Sequence, residues 1–133
     1  MINGRFAISI HILSLLSMEE GLSSEYIASS ININPVLVRK EISRLRKANL
    51  IETKEGKNGG SFLACSPKKI TLADVYKAVY EKPLFSHSKN KPNPQCPMGV
   101  KIGEIMDEVN EKAEAALLKK LGSISIEQFV SQV

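Results

Sequence analysis

An amphipathic and strongly basic helix is encoded by residues 34–48, which read NPVLVRKEISRLRKA. Asn34 is a favourable N-cap, and Pro35 suits the first helical position because its missing N–H would have no partner within the helix. On a period of 3.6 residues the apolar and basic side chains separate onto two faces. The predicted core face is Leu37, Val38, Ile42, Leu45 and Ala48, and the opposite face is Val36, Arg39, Lys40, Ser43, Arg44, Arg46 and Lys47.

The basic face of this helix has the composition of a DNA-recognition helix. Residues 39–47 contain five Lys and Arg side chains, opposed only by Glu41. In a DNA major groove such side chains can reach guanine edges and phosphates. An ordinary amphipathic helix with a solvated charged face shows the same pattern, so the neighbouring sequence must separate the two interpretations.

The residues before the basic helix predict two further helices. Residues 5–18 are almost all apolar and indicate a buried first helix, in which we expect His11 to be partly buried. Ser23 or Ser24 can cap a short second helix, and residues 32–35 form the turn into the basic helix. The predicted inner side of the second helix is Ile27, Ala28 and Ile31. This order of elements is that of a helix-turn-helix unit.

A β-hairpin is predicted directly after the basic helix. Residues 50–54 and 61–65 alternate with a period of two and read as strands, joined by the glycine-rich segment EGKNGG. A hairpin in this place is a wing, whose tip residues Lys57 and Asn58 can reach a phosphate or the minor groove. A plain turn, in which glycines supply only positive φ, fits equally well. We expect Cys65, in the second strand, to be inert.

The second half of the chain predicts helices on either side of a long irregular connection. Thr71 is positioned to cap a helix that ends near Tyr80. Residues 82–98 hold four of the six prolines and both His87 and Cys96, without periodicity. They therefore predict a loop.

A long helix is predicted over residues 100–121, followed by a short helix with Phe129 and Val130 inside. The long helix has one narrow apolar stripe, which would pack either against its own domain or against a second copy of the chain. We favour the second copy, because the proline-rich loop separates this helix from the core. The stripe is Ile102, Ile105, Met106, Val109, Ala113, Ala116 and Leu117.

The charge and composition of the chain limit the classes of function. Ten Lys and Arg oppose six Asp and Glu in residues 1–69, whereas eight oppose eight in residues 70–133, so the net charge of +4 belongs to the first half. A basic first half favours a nucleic-acid partner. No apolar run reaches about 18 residues and no signal-peptide pattern is present, so we expect a cytoplasmic protein without membrane contact. Two histidines without clustered carboxylates or a nucleophile motif indicate that the protein is not an enzyme.

Several motifs together resemble those of a known family of bacterial regulators. The wing motif Gly-x-x-Gly-Gly followed by an Ile-Thr-Leu helix start is specific in combination. The motifs are Arg5-Phe6-Ala7, Ser24-Glu25-Tyr26-Ile27-Ala28, Gly56-Lys57-Asn58-Gly59-Gly60-Ser61-Phe62-Leu63, Ile70-Thr71-Leu72-Ala73-Asp74-Val75 and Cys96-Pro97. Over essentially its whole length the chain is similar to the winged-helix regulators typified by IscR, NsrR and CymR, and in particular to YwnA-like members that lack the iron–sulfur cysteines.

The resemblance implies a homodimer whose long C-terminal helices pair and whose two heads read an inverted repeat, usually as a repressor. The best-known members hold an iron–sulfur cluster through three closely spaced cysteines before the dimerisation helix. Here only Cys96 stands, and one thiolate holds no cluster unless groups such as His87 supply further ligands. We therefore expect no cofactor and no metal. CymR-like relatives lack those cysteines and respond to a protein partner or through a thiol.

The sequence thus predicts a mainly α fold with a small β-hairpin, a winged helix-turn-helix unit with a long C-terminal dimerisation helix. We assign residues 1–80 to DNA binding, 81–98 to the loop that contains Cys96, and 99–133 to dimerisation. The expected partners are double-stranded DNA, a second copy and an effector that the sequence does not identify. The alternative is a regulator that acts through an enzyme partner, with weak or indirect DNA binding.

Candidate residues follow from these assignments. Cys96 is the candidate redox sensor, although a cysteine in this place also packs as a small hydrophobe. Residues expected to face bases are Val36, Arg39, Lys40 and Ser43, and those expected to hold phosphates are Ser23, Ser24, Arg44, Arg46, Lys47 and Lys57, with Asn58 at the wing tip.

Overall fold

The fold is mainly helical with one two-stranded antiparallel sheet, as the sequence predicts. The computed structural model describes residues 4–80 and 83–133. Its elements are α1 Arg5–Met18, α2 Ser24–Ile31, α3 Pro35–Lys47, β1 Ile51–Lys54, β2 Gly60–Leu63, α4 Leu72–Val79, α5 Pro97–Leu121 and α6 Ile126–Val130.

Side-chain caps begin the helices where the sequence places them. The Ser23 hydroxyl accepts the backbone N–H of Tyr26, and Asn34 Oδ1 accepts the N–H of Val36 at 2.8 Å. Thr71 with Asp74 forms a reciprocal capping box at α4. Each cap satisfies an N–H that has no partner in the first helical turn. The predicted start of α3 is therefore confirmed.

The wing is tied to the segment between α1 and α2. Strands β1 and β2 pair from Ile51 opposite Leu63 to Lys54 opposite Gly60. Ser61 also exchanges backbone hydrogen bonds with this segment, since its N–H donates to Leu22 O at 2.9 Å. The hairpin is thereby fixed beside the helix-turn-helix unit.

One hydrophobic core joins the two ends of the chain. Ile126 of α6 is fully buried, and its N–H donates to Ile70 O at 2.8 Å. Helix α6 packs against α1. The residues of this core that are completely enclosed include Ile12, Leu13, Ile27, Val38, Leu45, Ile70, Val75 and Ile126. The C-terminal helix is thus attached to the first helix of the chain.

Several exposures differ from those predicted. On α3, Leu37 is 47% exposed and Ala48 is also exposed. Both lie about 80–100° from the centre of the buried stripe, at its outer edges. His11 is exposed, because it shares the outer side of α1 with Gly4 and Ala7 rather than the inner one.

Three differences concern the second half of the wing and the C-terminal helices. Cys65 is exposed, because β2 ends at Leu63. Helix α5 begins three residues before the predicted start, since Cys96 caps it and Pro97 occupies its first position. In α6 Phe129 is exposed, and Ile126 is the buried residue.

Candidate nucleic-acid interface

The outward face of α3 presents most of the predicted DNA-contacting side chains to solvent. Val36 is 48% exposed, and Arg39, Lys40, Arg46 and Lys47 are exposed as well. The two remaining members of the predicted face, Ser43 and Arg44, are half-buried.

Contacts from two of these arginines connect α3 to its neighbours. Arg39 Nη1 lies 3.4 Å from Glu25 Oε1 of α2, with both side chains largely in solvent. Arg46 Nη1 donates to Thr53 Oγ1 of β1 at 3.1 Å. Because one contact reaches α2 and the other reaches the wing, the three elements form a continuous surface around α3.

Glu41, the one acidic residue of α3, points away from this surface. It is 4% exposed, although the sequence places it among the basic residues. Its carboxylate pairs with Arg5 of α1 and Arg44 of α3, and it accepts a hydrogen bond from Ser9 at 3.3 Å. Helix α3 therefore contributes no carboxylate of its own to its exposed face, and the acidic contact reported above for that face comes from Glu25 of α2.

The predicted residues outside α3 lie at two edges of this surface. Lys57 and Asn58 are exposed in the turn between β1 and β2. Ser23 is exposed at the start of α2, where its hydroxyl serves as the N-cap, and Ser24 is half-buried. A helix N-terminus and a lysine-tipped turn are both suited to phosphate groups.

The loop that contains Cys96 is held along one side of α5. Asn110 is 5% exposed, and its amide bonds to both backbone groups of Phe85, at 2.6 Å to the N–H and 2.7 Å to the carbonyl. His87 Nε2 lies 2.8 Å from Asp107 Oδ1. At the end of the loop Cys96 Sγ accepts the N–H of Gly99 at 3.3 Å and begins α5.

The predicted dimerisation stripe of α5 is open to solvent. Ile102, Ile105 and Val109 are 39%, 42% and 44% exposed, and Ala116 is exposed too. Met106, Ala113 and Leu117 are half-buried. The chain's own core therefore leaves much of the stripe uncovered, as it does most of α5.

An aromatic cluster connects α1 with α4 near α5. The ring centroids of Tyr76 and Tyr80 are 4.9 Å apart with the ring planes inclined at 55°, and Phe6 lies 6.3 Å from Tyr76 in an edge-on geometry. Burial raises the pKa of Tyr76 above its usual value, with smaller contributions from Glu114 and Tyr80. The cluster fixes the start of α1 near the helix that would pair in a dimer.

Comparison with known proteins identifies the family. The sequence model of the Rrf2 family, described as iron-dependent transcriptional regulators, matches residues 2–132. The chain belongs to the Rrf2 family. The resemblance drawn from the motifs is thereby confirmed, and the family is one of transcriptional regulators.

Relatives of this Rrf2 chain agree with it over nearly full length. The HTH-type transcriptional regulator YwnA of Bacillus subtilis (strain 168) is 45% identical over 134 residues, which cover 100% of this chain and 99% of YwnA. A crystal structure described as that of a DNA-binding protein has a TM-score of 0.76 and 41% identity, covering 94% and 97% of the two chains. CymR of B. subtilis has a TM-score of 0.72 at 20% identity, covers 100% and 98%, and supports the winged-helix fold.

The residues of this Rrf2 chain do not fit the iron that the family description implies. Among residues 4–80 and 83–133 no group of three or more His, Cys, Asp or Glu side chains is arranged to hold a metal ion. Cys96 is the one thiol of its loop, and His87 of the same loop is paired with Asp107. A cluster needs four ligands. The same part of the chain contains no helix with the length and apolarity needed to cross a membrane.

The burial of two polar residues of this Rrf2 chain was not predicted, because polar side chains are ordinarily assigned to the surface. Glu41 lies three residues after buried Val38 and one before buried Ile42, so its register on α3 already indicated the core face. Asn110 follows Gly103 and Asp107 at helical spacing, on the side of α5 beside the apolar stripe. Position within the helical repeat was the available signal in both cases.

Proposed function

We propose that this Rrf2-family regulator is a homodimeric repressor that binds an inverted repeat in double-stranded DNA. The observation that carries the proposal is the exposed face of α3, where Arg39 and Lys40 face solvent while Glu41 is turned into the core. Arginine and lysine in a major groove can each bind guanine. The wing and the start of α2 flank this face and are suited to the adjacent phosphates.

The proposed base-reading group is Arg39 with Lys40, Ser43 and Val36. Arg44, Arg46, Lys47, Lys57 and Asn58, with Ser23 and Ser24, would contact the backbone. Residues 1–80 then form the reading unit, and residues 81–98 connect it to the dimerisation segment 99–133. Two reading units related by a two-fold axis contact half-sites about 34 Å apart or a multiple of it.

The partner that we assign to α5 is a second copy of this chain. The exposed side chains Ile102, Ile105 and Val109 are apolar and spaced for one helix face. A two-fold interface uses the same patch on both subunits, so one apolar stripe covers the other. Pairing in this way brings two reading units into one complex.

We further assign a thiol switch to Cys96. Its sulfur is exposed and caps the first turn of α5. A thiolate at this place would attack hydrogen peroxide to give a sulfenic acid, with release of hydroxide. A changed cap alters the start of the helix that sets the spacing of the two reading units.

The base-reading assignment is tested by comparing Arg39→Ala with Lys57→Ala. Arg39→Ala should cost about 1–3 kcal/mol on a duplex that the wild-type protein selects from a random-sequence pool, and little on unselected DNA. Lys57→Ala should weaken binding to both DNAs alike. It should also lower the slope of log affinity against log salt concentration by about 1. Fluorescence anisotropy at several salt concentrations measures both quantities.

The outcomes of this comparison separate the two functions that the sequence allows. Equal losses on both DNAs for Arg39→Ala would contradict base reading. The alternative would be supported if the wild-type protein enriched no sequence from the DNA pool but retained a protein partner in a pull-down at high salt. Contacts to DNA phosphates weaken as salt rises, so a complex that survives high salt is held by protein–protein contacts.

A further inference from the structure

The inner side of α3 carries a charged cluster that the proposed DNA contacts do not explain. Glu41 Oε1 lies 3.2 Å from Arg5 Nε and 2.5 Å from Arg44 Nη1, and Glu41 Oε2 accepts the Ser9 hydroxyl. The Glu41 side chain is 6% exposed, whereas that of Arg44 is 40% exposed. One carboxylate therefore sits in the core between two guanidinium groups, one of which reaches the surface.

A carboxylate in this position is not the choice that favours stability. Removing a charge from water is costly even when it is paired, and an apolar side chain of similar volume often packs as well or better. Val38, Ile42 and Leu45 show that apolar residues fill the rest of this face. The charged group at position 41 therefore calls for a role that an apolar residue cannot perform.

The Arg44 guanidinium can bind the Glu41 carboxylate and a second anion at the same time. A guanidinium presents five N–H donors in a rigid plane, so it can donate to a carboxylate with one edge and to a phosphate with another. The Nη1 of Arg44 is bound to Glu41, and the exposed part of the side chain lies on the flank of the DNA-facing surface. Two arginines against one carboxylate also leave the cluster with one net positive charge.

We propose that Glu41 is a positioning residue for DNA binding, whose buried carboxylate, itself held in place by Arg5 and Ser9 of α1, keeps the Arg44 guanidinium ready for a phosphate. The inference rests on the proposed function, since it requires α3 to bind DNA. The change in DNA affinity expected on removing the Glu41 charge is therefore opposite to the change expected from charge alone. Loss of a negative charge beside the interface should strengthen DNA binding, whereas loss of a positioning group weakens it.

The test measures the affinity of Glu41→Gln for the duplex that the wild-type protein selects. Gln keeps the shape of the side chain and removes its charge. We expect the dissociation constant to rise about tenfold, and the salt slope to fall by about 1 as Arg44 leaves its phosphate. Glu55→Gln is the matched control, because Glu55 is an exposed carboxylate of the wing. It should bind as tightly as the wild type or more tightly.

A double-mutant cycle with Arg44→Ala separates positioning from a purely structural role. If Glu41 acts through Arg44, Glu41→Gln has no further effect on affinity once Arg44 is removed. An undiminished loss in that background would overturn the proposal, and so would a folded Glu41→Gln variant that binds as well as the wild type. Failure of the wild type to select any duplex would instead refute the proposed function.

A second variant keeps the proposal testable if Glu41→Gln does not fold, as judged by circular dichroism. Arg44→Lys retains the charge, but an ammonium cannot present two edges to a carboxylate and a phosphate. We expect its affinity to fall nearly as far as that of Arg44→Ala. Wild-type affinity for Arg44→Lys would overturn the positioning role.

Discussion

Gly60 shows how one residue of the wing is constrained by a neighbouring segment. Its φ is +138°, and a Cβ at this position would lie 2.5 Å from Gly21 O and 2.9 Å from Leu22 O. Backbone atoms cannot retreat as a flexible side chain can. Gly56, at the other end of the wing turn, has a φ of +95° but no atom within 4 Å of its Cβ position. Comparing the two glycines therefore separates the cost of a positive φ from the cost of a steric clash with the neighbouring backbone.

We predict that Gly60→Ala destabilises the protein by at least about 2 kcal/mol, because it adds a steric clash to the unfavourable φ. The matched variant Gly56→Ala meets only the unfavourable φ and should cost about 1–2 kcal/mol. Urea denaturation followed by circular dichroism measures both free energies of unfolding. A Gly60→Ala variant no less stable than Gly56→Ala would show that the contact between the wing and the α1–α2 segment gives way easily.

Residue identities alone predicted which side chains carry charge, but not where each one points. The exposure of Arg39 and Lys40 agrees with the sequence because their helical angles lie far from the apolar stripe. Glu41 could not be placed by its type, since a carboxylate enters a core only where partners such as Arg5 and Arg44 meet it. Those partners are brought together by the packing of α1 on α3.

Two adjacent alanines of α5 allow the proposed dimerisation stripe to be tested. Ala115 and Ala116 are adjacent and both exposed, but helical geometry turns them about 100° apart. Ala116 belongs to the proposed dimerisation stripe with Val109, whereas Ala115 lies outside the stripe. The two alanines therefore offer the same substitution on two faces.

We predict that Ala116→Glu raises the dissociation constant of the homodimer at least about tenfold, because two carboxylates would be buried in an apolar interface. Ala115→Glu has the same composition, charge and helix propensity and should leave the dimer intact. Sedimentation velocity over a range of protein concentrations measures the association. Equal behaviour of the two variants would contradict pairing through this stripe.

At the scale of the whole molecule, the C-terminal segment closes back onto the beginning of the chain. Ile126 of α6 is buried with α1 residues such as Ile12 and Leu13. Helix α5 is thus connected to α1 at its far end through α6, and its first turn follows the Cys96 loop. Helix α4 packs against both α5 and α3, so a change in α5 can reach α3 through α4 as well as through α6 and α1.

We predict that peroxide treatment changes the affinity of the wild-type protein for its selected duplex by about fivefold or more, a typical lower value for coupling between two sites. The DNA affinity of Cys96→Ser should not change on peroxide treatment. Serine is a suitable replacement because it remains a good N-cap for α5. Cys65→Ser, which removes the other exposed thiol, should keep the response. Unchanged affinity of wild-type protein with Cys96 oxidised, as verified by mass spectrometry, would contradict the thiol switch.

The order and type of the elements follow from local features of the sequence. Caps at Asn34 and Thr71, the helical and strand periodicities and the glycines of the wing are local, because each depends on neighbours within a few residues. The basic face of α3 and the apolar stripe of α5 follow from the same local repeat. The family resemblance adds to these features and agrees with them.

The partners of the interior polar residues, in contrast, are visible in the packed structure alone. Glu41 joins α1 to α3, and Asn110 holds the backbone of Phe85, which is 25 residues away in the chain. Ile126, rather than Phe129, enters the core because α6 meets α1 on that side. These contacts join residues distant in sequence, so a local pattern does not encode them. They form when whole elements pack and each buried polar group must find a partner.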